Sequence, residues 1–568
     1  MTYETFIPAR AKNVLEVIGD APTDFETSEE KFLEIQPDCS YAVTEDLTGV
    51  IGTFDAILLQ SPLIGTLSNK KLVALIRRAA KLLKDDGTMI FTLDNIGHAE
   101  NLAAILDGKP PKFRVTLTQS ELQDAIEEAG LNVLRSLNAG RGVKVSRQIA
   151  DISKTDMAVF VYLFTACKNV PPKKMLVQTL IGEATVCAPS RVHMPNAFFM
   201  TEQNIFIMSS PVGKPYQLFD REQFERRIFI NQRMSFPSFA VGLDFFNVIR
   251  EKEILFLSEM DDHPVLWEDD YQKTAWINFR SVHAIQTSTQ YLADFLKQFN
   301  PHVKVFANHL RRLPPPRDFD AEFRQKKPVT IFYGALNRDG DFIEILPMLN
   351  KLAAQYGNKL EFKILARKNL FDALESKNKT FVGDLQQYDG QFVSYDDYEA
   401  AIRSSDIALL PLRDSEFNRS KSDLKFIECA GNGAVVLASP VVYGNTIVEG
   451  KTGFIYRDNR EFTNKLNLLI KNRNLRRMVA EKAYAYVRFN RLMSQHYMER
   501  LDWYRELFAR LPELTAEAAA RIEKYIPLFK DEIAKFRARF TQQNQPSNNS
   551  PAEQKSNGGA QIIIPDID

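Results

Sequence analysis

The sequence predicts an α/β protein made of three successive sheet-containing regions, followed by a helical extension and a polar tail. Two observations carry this reading. Short apolar runs of strand length alternate with helical segments along most of the chain, the pattern of parallel sheets covered by helices. Two proline-rich breaks, Pro171-Pro172-Lys173-Lys174 and Leu313-Pro314-Pro315-Pro316, cut the 568 residues into pieces of domain size.

The first region spans 1–168. Val14-Leu15-Glu16-Val17-Ile18 reads as a strand ended by Gly19-Asp20, residues 54–59 as a second strand, and 72–83 as an amphipathic helix. Asp85-Asp86-Gly87 reads as a turn before a strand over 88–93. Thr118-Gln119-Ser120-Glu121 has the form of a capping box and opens a helix that runs to Gly130. In the second region, 174–312, the clearest strands are 254–258 and 282–287, with a helix over 289–299. In the third, 325–485, strands fall near 329–333, 359–365, 407–410 and 434–438. Helical sequence runs from Asn459 to about Phe540, with 486–540 set apart as C-terminal helices. Residues 541–568 turn to Gln, Asn, Ser, Pro and Gly, too polar to bury a core, and are expected to be disordered.

Composition narrows the function classes. Apolar residues make up 45% of the chain, enough for sizeable cores. The 72 basic residues are balanced by 72 acidic ones, which argues against a nucleic-acid partner. Four cysteines without a C-x-x-C pair form neither a disulfide framework nor a zinc site, and Cys187 and Cys429 read as buried packing residues. No run approaches the roughly 18 apolar residues of a membrane span, and residues 1–12 lack a signal-type apolar core. The expected compartment is the reducing cytoplasm. The polar face over 514–540 is mixed in sign, which favours core or docking surface over a membrane-surface helix; a peripheral membrane contact stays open.

The chemistry concentrates in 408–433, which reads as a buried strand, a polar loop and a helix starting near Ser422-Asp423. A loop leaving a strand's carboxyl end and feeding a helix N-terminus is suited to anions, because free N–H groups and the helix dipole favour negative charge there. Lys421 and Lys425 lie around that first turn, and Glu428 follows at helical spacing, where a carboxylate suits a pair of ribose hydroxyls. Earlier, the strand over 329–333 runs into Gly334, Arg338 and Gly340, a loop that offers N–H groups and a guanidinium fork to phosphate oxygens. The bland alternatives are a solvated helix face for the charges at 421, 425 and 428, and a surface turn for Arg338.

The order of segments over about 174–510 resembles a retaining glycosyltransferase of the GT-B fold, family 4. The features carrying the resemblance are the Gly334…Arg338…Gly340 loop, the strand from Ser404 to Pro411, the run through Glu428 to Gly433, and Gly444, Gly450 and Lys451-Thr452-Gly453-Phe454. The resemblance implies two Rossmann-like domains: an acceptor domain over 174–312 and a nucleotide-sugar donor domain over 325–485, with the C-terminal helices partly returning to the acceptor domain. It implies that Gly334, Arg338, Lys421 and Lys425 hold the donor diphosphate and that Glu428 holds the ribose. The family's usual first glutamate falls at Ser420, which alters sugar recognition. On the acceptor side, Gly182 to Pro195 resembles the family's first cleft loop, where Arg191 would meet an anionic acceptor or the donor phosphate. Asp262 and His263 would orient donor or acceptor hydroxyls beside Arg338 and Lys421; Arg191 could instead pair with an acid, and Asp261-Asp262-His263 could instead cap the helix after Pro264. Asp-Asp-His could ligate a metal, but no metal is expected, because GT-B enzymes generally stabilise the leaving diphosphate with cations and helix dipoles. The implied partners are a nucleoside-diphosphate sugar and a glycan, lipid-linked or protein acceptor, with no resident cofactor.

Residues 1–168 resemble a degenerate class I methyltransferase domain, on Phe54 to Leu59, Ala80 to Phe91 and Leu117 to Val133. A working adenosylmethionine loop has several glycines after the first strand, whereas here only Gly19 is present, so cofactor binding is not expected. The 20–53 stretch also reads as short for the usual helix, strand and ribose-binding acid. Three functions therefore compete: a glycosyltransferase, a non-catalytic nucleotide- or partner-binding scaffold, and a bifunctional methyltransferase-glycosyltransferase.

Overall fold

The computed structural model describes residues 4–21, 25–65, 67–95, 117–140, 159–169, 173–182, 187–214, 216–325, 327–334, 339–383 and 393–543. They form three six-stranded sheets and a helical C-terminal region, which bears out the expected α/β class. Arg338, residues 183–186 of the first cleft loop and all of the tail after Gln543 lie outside the described residues.

The first sheet contains β1 (Asn13–Val17), β2 (Ser40–Thr44), β3 (Phe54–Leu59), β4 (Leu83–Asp94), β5 (Asn132–Gly140) and β6 (Val159–Cys167), in the order β2-β1-β3-β4-β6-β5. Strands β1 to β4 are parallel, and β6 runs antiparallel to both of its neighbours. The capping box forms as expected, with Thr118 and Glu121 closing the start of the helix Gln119–Glu128. Two expectations are revised. Asp85-Asp86-Gly87 does not precede a strand but bulges out of β4, since Phe54 pairs with Leu83 and Ala56 already with Thr88. The 20–53 stretch, read as too short, holds the helix Glu29–Ile35, the strand β2 and an acid at its end, Glu45.

The second sheet contains β7 (Met175–Ile181), β8 (Ile205–Pro211), β9 (Arg226–Gln232), β10 (Leu255–Met260), β11 (Ala284–Thr287) and β12 (Val303–Val305), ordered β12-β11-β10-β9-β7-β8. The third contains β13 (Val329–Tyr333), β14 (Leu360–Leu365), β15 (Lys379–Val382), β16 (Ile407–Leu410), β17 (Val435–Ala438) and β18 (Phe454–Ile455), all parallel, ordered β15-β14-β13-β16-β17-β18. This is the Rossmann order, with β14 and β15 outward on one side of β13 and β16, β17 and β18 on the other.

The chain divides into two compact units: 1–177 with 195–208 and 221–226, and the remainder, which holds the third sheet and the ends of β7 and β9 used below. The first unit draws in 195–208 through polar contacts. Arg135 donates to the carbonyls of Met200, Glu202 and Ile205, Arg10 pairs with Glu202 at 3.1 Å, and the Ala9 N–H donates to Thr201 Oγ1 at 3.1 Å.

Within the second unit the helices Asn459–Lys471 and Arg473–Asn490 seal the core of the third sheet with Leu466, Leu469, Val479 and Ala480. The chain then crosses back. Leu310, leaving the second sheet, and Leu492 meet as a backbone bridge, with Leu310 N–H donating to the Arg491 carbonyl at 2.8 Å. Beyond it, Ala518, Ile522 and Ile533 enter the core of the second sheet, Phe529 stacks on Phe239 at 4.3 Å, and Glu532 accepts from the Ala240 N–H at 2.7 Å. Such a stack adds about 0.5–1.5 kcal/mol beyond its buried area.

Candidate active site

In an open α/β sheet a ligand crevice lies beyond the carboxyl ends of the strands where the strand order reverses. In the third sheet that point is between β13 and β16. Gly334 follows β13, and a Cβ there would lie 2.5 Å from the Phe332 ring and 3.0 Å from Leu365, so a larger residue would have to displace them. The following helix Asp339–Ile343 presents Asp341, whose buried Oδ1 accepts from the Arg413 N–H at 2.9 Å and from Asn418 Nδ2 at 3.2 Å. These two bonds tie the loop after β13 to the loop after β16.

That second loop contains a short helix, Glu416–Arg419, capped by Ser415, and then Ser420 to Asp423. Ser420 is fully buried and donates its Oγ–H to the Phe417 carbonyl at 2.6 Å. The helix Leu424–Gly431 begins only after Asp423. Lys421 is therefore not on that helix, and the shared face inferred from spacing is corrected: the charges form two clusters. Lys425 and Glu428 are on the helix, 3.1 Å apart, and Tyr398 joins them, donating to Glu428 Oε2 at 2.6 Å and accepting from Lys425 at 2.8 Å. Burial, then the Glu428 carboxylate, pushes the Tyr398 phenol well above its ordinary pKa, so it stays a donor. Lys421 turns the other way, rests over the Phe417 ring at 4.0 Å and pairs with Asp262.

Asp262 belongs to the second sheet. There the order reverses between β7 and β9, whose ends are Gly182 and Arg233. Gly182 donates to the Gln232 carbonyl at 2.8 Å, and a Cβ on it would sit 2.5 Å from the Arg233 carbonyl oxygen. Arg233 has φ 48°, in the left-handed region that a non-glycine residue enters only under constraint. Its guanidinium clamps the acids after β10, Asp261 Oδ1 at 2.7 Å and Asp262 Oδ2. Burial alone would pull the Arg233 pKa down; Asp261 and Asp262 more than offset it and raise it. His263 accepts the Val265 N–H on Nδ1 at 3.2 Å and so caps the turn Pro264–Trp267, while Nε2 lies 3.4 Å from Glu416 Oε1. Burial, opposed by Glu416 and Glu268, lowers its pKa and keeps it neutral at pH 7.

Arg191 lies in the short turn Pro189–His193 and is buried. It donates to Glu259 at 2.7 Å, to the Phe306 carbonyl at 2.7 Å and to Asn308 Oδ1 at 2.8 Å, an internal pairing rather than a cleft contact. Asn308 in turn donates to Ser422 at 2.8 Å, and Arg491 holds Asp423 through two bonds of 2.6 and 2.7 Å. The N-terminal end of the Leu424–Gly431 helix is thus fixed by the crossing segments themselves. Among the described residues no group of three or more His, Cys, Asp or Glu side chains is placed to hold a metal ion.

Sequence reading missed Arg233, Tyr398, Asp341 and Arg491. None stands in a motif; each is placed by strand order or by a contact distant in sequence. Only the polar end of β9, Asn231-Gln232-Arg233, carried a signal for the first of them.

Residues 349–502 match the family described as "Glycosyl transferase-like". No curated protein matches the chain. Similar solved structures include a glycosyltransferase from Rickettsia africae (11% identity, 59% of this chain and 99% of that one, TM-score 0.42). Others are Anabaena HepE in complex with UDP and glucose (13%, 58% and 100%, 0.40) and a sucrose-phosphate synthase from Thermosynechococcus elongatus (11%, 59% and 100%, 0.41). The matched stretch runs from the helix before β14 to the helix after the crossing and contains Lys421, Lys425 and Glu428.

Proposed function

We propose that this chain is a family 4-type glycosyltransferase. It moves a sugar, with retention, from a nucleoside-diphosphate sugar to a hydroxyl of a glycan, lipid-linked or protein acceptor. The observation that carries the reading is the Lys425–Glu428 pair, with Lys421 on the preceding loop, at the strand-order reversal of a Rossmann sheet and inside the matched stretch. Lys421, Lys425 and the start of the Leu424–Gly431 helix serve the diphosphate, the role the resemblance also gives Arg338, and Glu428 serves the ribose. Tyr398 and Lys425 both hold Glu428 Oε2, so Oε1 is the oxygen turned to the sugar hydroxyls. In the reaction the bond from the anomeric carbon to the diphosphate breaks, a bond to the acceptor oxygen forms, and the acceptor proton passes to the departing phosphate. Negative charge grows on that diphosphate, so fixed cations there favour the transition state over the bound substrate.

For residues 1–168 we propose a structural or partner-binding role without adenosylmethionine. The support is local: Gly19, the one glycine after β1, packs directly on the backbone of Leu63.

The test is a thermal-shift screen of UDP, GDP, ADP and their sugar conjugates on wild type and on Lys421→Ala/Glu428→Ala. A nucleotide at 100 times its dissociation constant adds about 2.7 kcal/mol. A shift with one base, lost in the variant and followed by sugar turnover in wild type, supports the enzyme. No shift with any nucleotide at millimolar concentration favours the scaffold.

A further inference from the structure

We propose that Asp262 is a positioning residue that holds Lys421 in place of the donor diphosphate and is released toward the acceptor hydroxyl when the donor binds. The inference rests on the donor-site reading above and adds an order of events to it.

Asp262 stands between two cations that come from the two sheets of the second unit. Arg233, at the end of β9, takes Oδ2; Lys421, in the loop after β16, takes Oδ1. The two attachments differ in kind. Arg233 is fixed three times over, by its left-handed backbone, by Asp261 and by its N–H bond to the Glu259 carbonyl at 3.0 Å. Lys421 is a flexible chain whose ammonium also rests on the Phe417 ring. Asp262 therefore stays on Arg233 when Lys421 moves, and Lys421 is the partner that exchanges.

Exchange follows from charge. The Asp262 and Lys421 side chains are 13% and 19% exposed, so their pairing is only weakly screened by solvent. A diphosphate brings at least two negative charges against the single one of a carboxylate, and an ammonium in such a site moves to the stronger anion. Arg233 is shared between Asp261 and Asp262, so once Lys421 leaves, the two carboxylates have one cation between them and Asp262 needs a new hydrogen-bond donor. The hydroxyl of the acceptor supplies one. Donor binding thereby creates the acceptor's contact, and the enzyme adds donor before acceptor.

The experiment measures dissociation constants for UDP, GDP and ADP by calorimetry on wild type, Asp262→Asn, Lys421→Ala and the double variant, with hydrolysis of the matching nucleotide sugar as the turnover readout. Asp262→Asn is expected to bind the nucleotide about fivefold more tightly, because Lys421 is no longer held back, while kcat falls at least about tenfold. In the Lys421→Ala background the same change is expected to leave affinity unaltered. A merely structural ion pair would lower the unfolding midpoint without tightening nucleotide binding. Unchanged or weaker binding by Asp262→Asn, or equal tightening in both backgrounds, overturns the inference while leaving the donor site standing. If none of the three nucleotides binds wild type, the donor-site reading falls and this inference with it. Asp262→Ser serves as the second variant should the asparagine protein not fold.

Discussion

The first and third sheets have the same kind of strand-order reversal, at β1 and β3 in one and at β13 and β16 in the other, yet the two crevices are filled differently. In the first, Gly19 turns at φ 63° straight onto the segment after β3, where a Cβ would lie 2.7 Å from Leu63 Cα. Glu16 beneath it is fully buried and satisfied internally, accepting from the Ser28 N–H at 3.0 Å, Tyr41 at 2.7 Å and Gln60 at 2.6 Å. Gln60 then accepts from Thr92 at 2.6 Å, closing the network. In the third sheet a buried acid, Glu428, is instead paired with a cation that reaches the surface, the Lys425 side chain being 31% exposed. The difference teaches that strand order fixes where a site can be, and that side chains decide whether one exists.

The comparison breaks first at the frame of the open crevice. Arg491 holds Asp423, the residue just before the Leu424–Gly431 helix, and also donates to the Asn308 carbonyl at 2.9 Å. Removing one member of a buried, hydrogen-bonded ion pair costs about 3–5 kcal/mol. Arg491→Met is therefore expected to lower urea stability of the second unit by that amount and to weaken nucleotide binding along with it. On the plugged side, Gly19→Ala meets both a left-handed φ and the Leu63 backbone, and is expected to cost the first unit about 2–3 kcal/mol. Its nucleotide affinity should match wild type; a large change there would show that the first crevice is not inert.

A third, smaller effect depends on pH. His309, beside the crossing at Leu310, stacks on His496 at 3.9 Å with rings nearly parallel, and Arg191, Arg491 and Arg500 surround it. Burial first, then His496 and these arginines, pushes its pKa down to about 2. The folded state keeps it neutral while the unfolded chain protonates near 6.5, so its contribution is full above that pH and is lost progressively below it. Unfolding free energy should fall between pH 7 and pH 5, and His309→Phe, which keeps the stack, should flatten that fall by about 2 kcal/mol. His283, pushed down to about 3 mainly by burial, acts in the same sense and accounts for part of the remaining slope.

Much of this architecture was legible because it is local. The strands Phe54–Leu59, Val329–Tyr333 and Ile407–Leu410 sit where apolar runs between turn residues place them, and the Thr118 capping box is a four-residue signal. The stretch around Lys421 to Glu428 was legible as a strand-loop-helix suited to anions. What stayed hidden was the partnering. Tyr398 reaches Glu428 across 30 positions, Lys421 reaches Asp262 across 159, and Arg491 reaches Asp423 across 68. No periodicity encodes such pairs; packing of separate helices and loops does. The helical spacing of Lys421 to Lys425 misled for the same reason, because the helix starts only after Asp423.

The finest test of the open crevice is Tyr398→Phe. The phenol is buried and is the group that both orients Glu428 Oε2 and meets Lys425. Phenylalanine keeps the ring against Phe332 and under the lysine, and removes one hydrogen-bonded hydroxyl, a loss of about 1.5 kcal/mol when the acceptor is charged. If Glu428 holds the ribose, that loss falls on nucleotide binding, with a dissociation constant about tenfold higher and kcat little altered. If Lys425 and Glu428 are only a solvated pair on a helix face, the same change lowers the unfolding midpoint and leaves affinity where it was. The crevice of the first sheet supplies the control, since Tyr41→Phe removes a half-buried phenol from Glu16 and should touch stability alone.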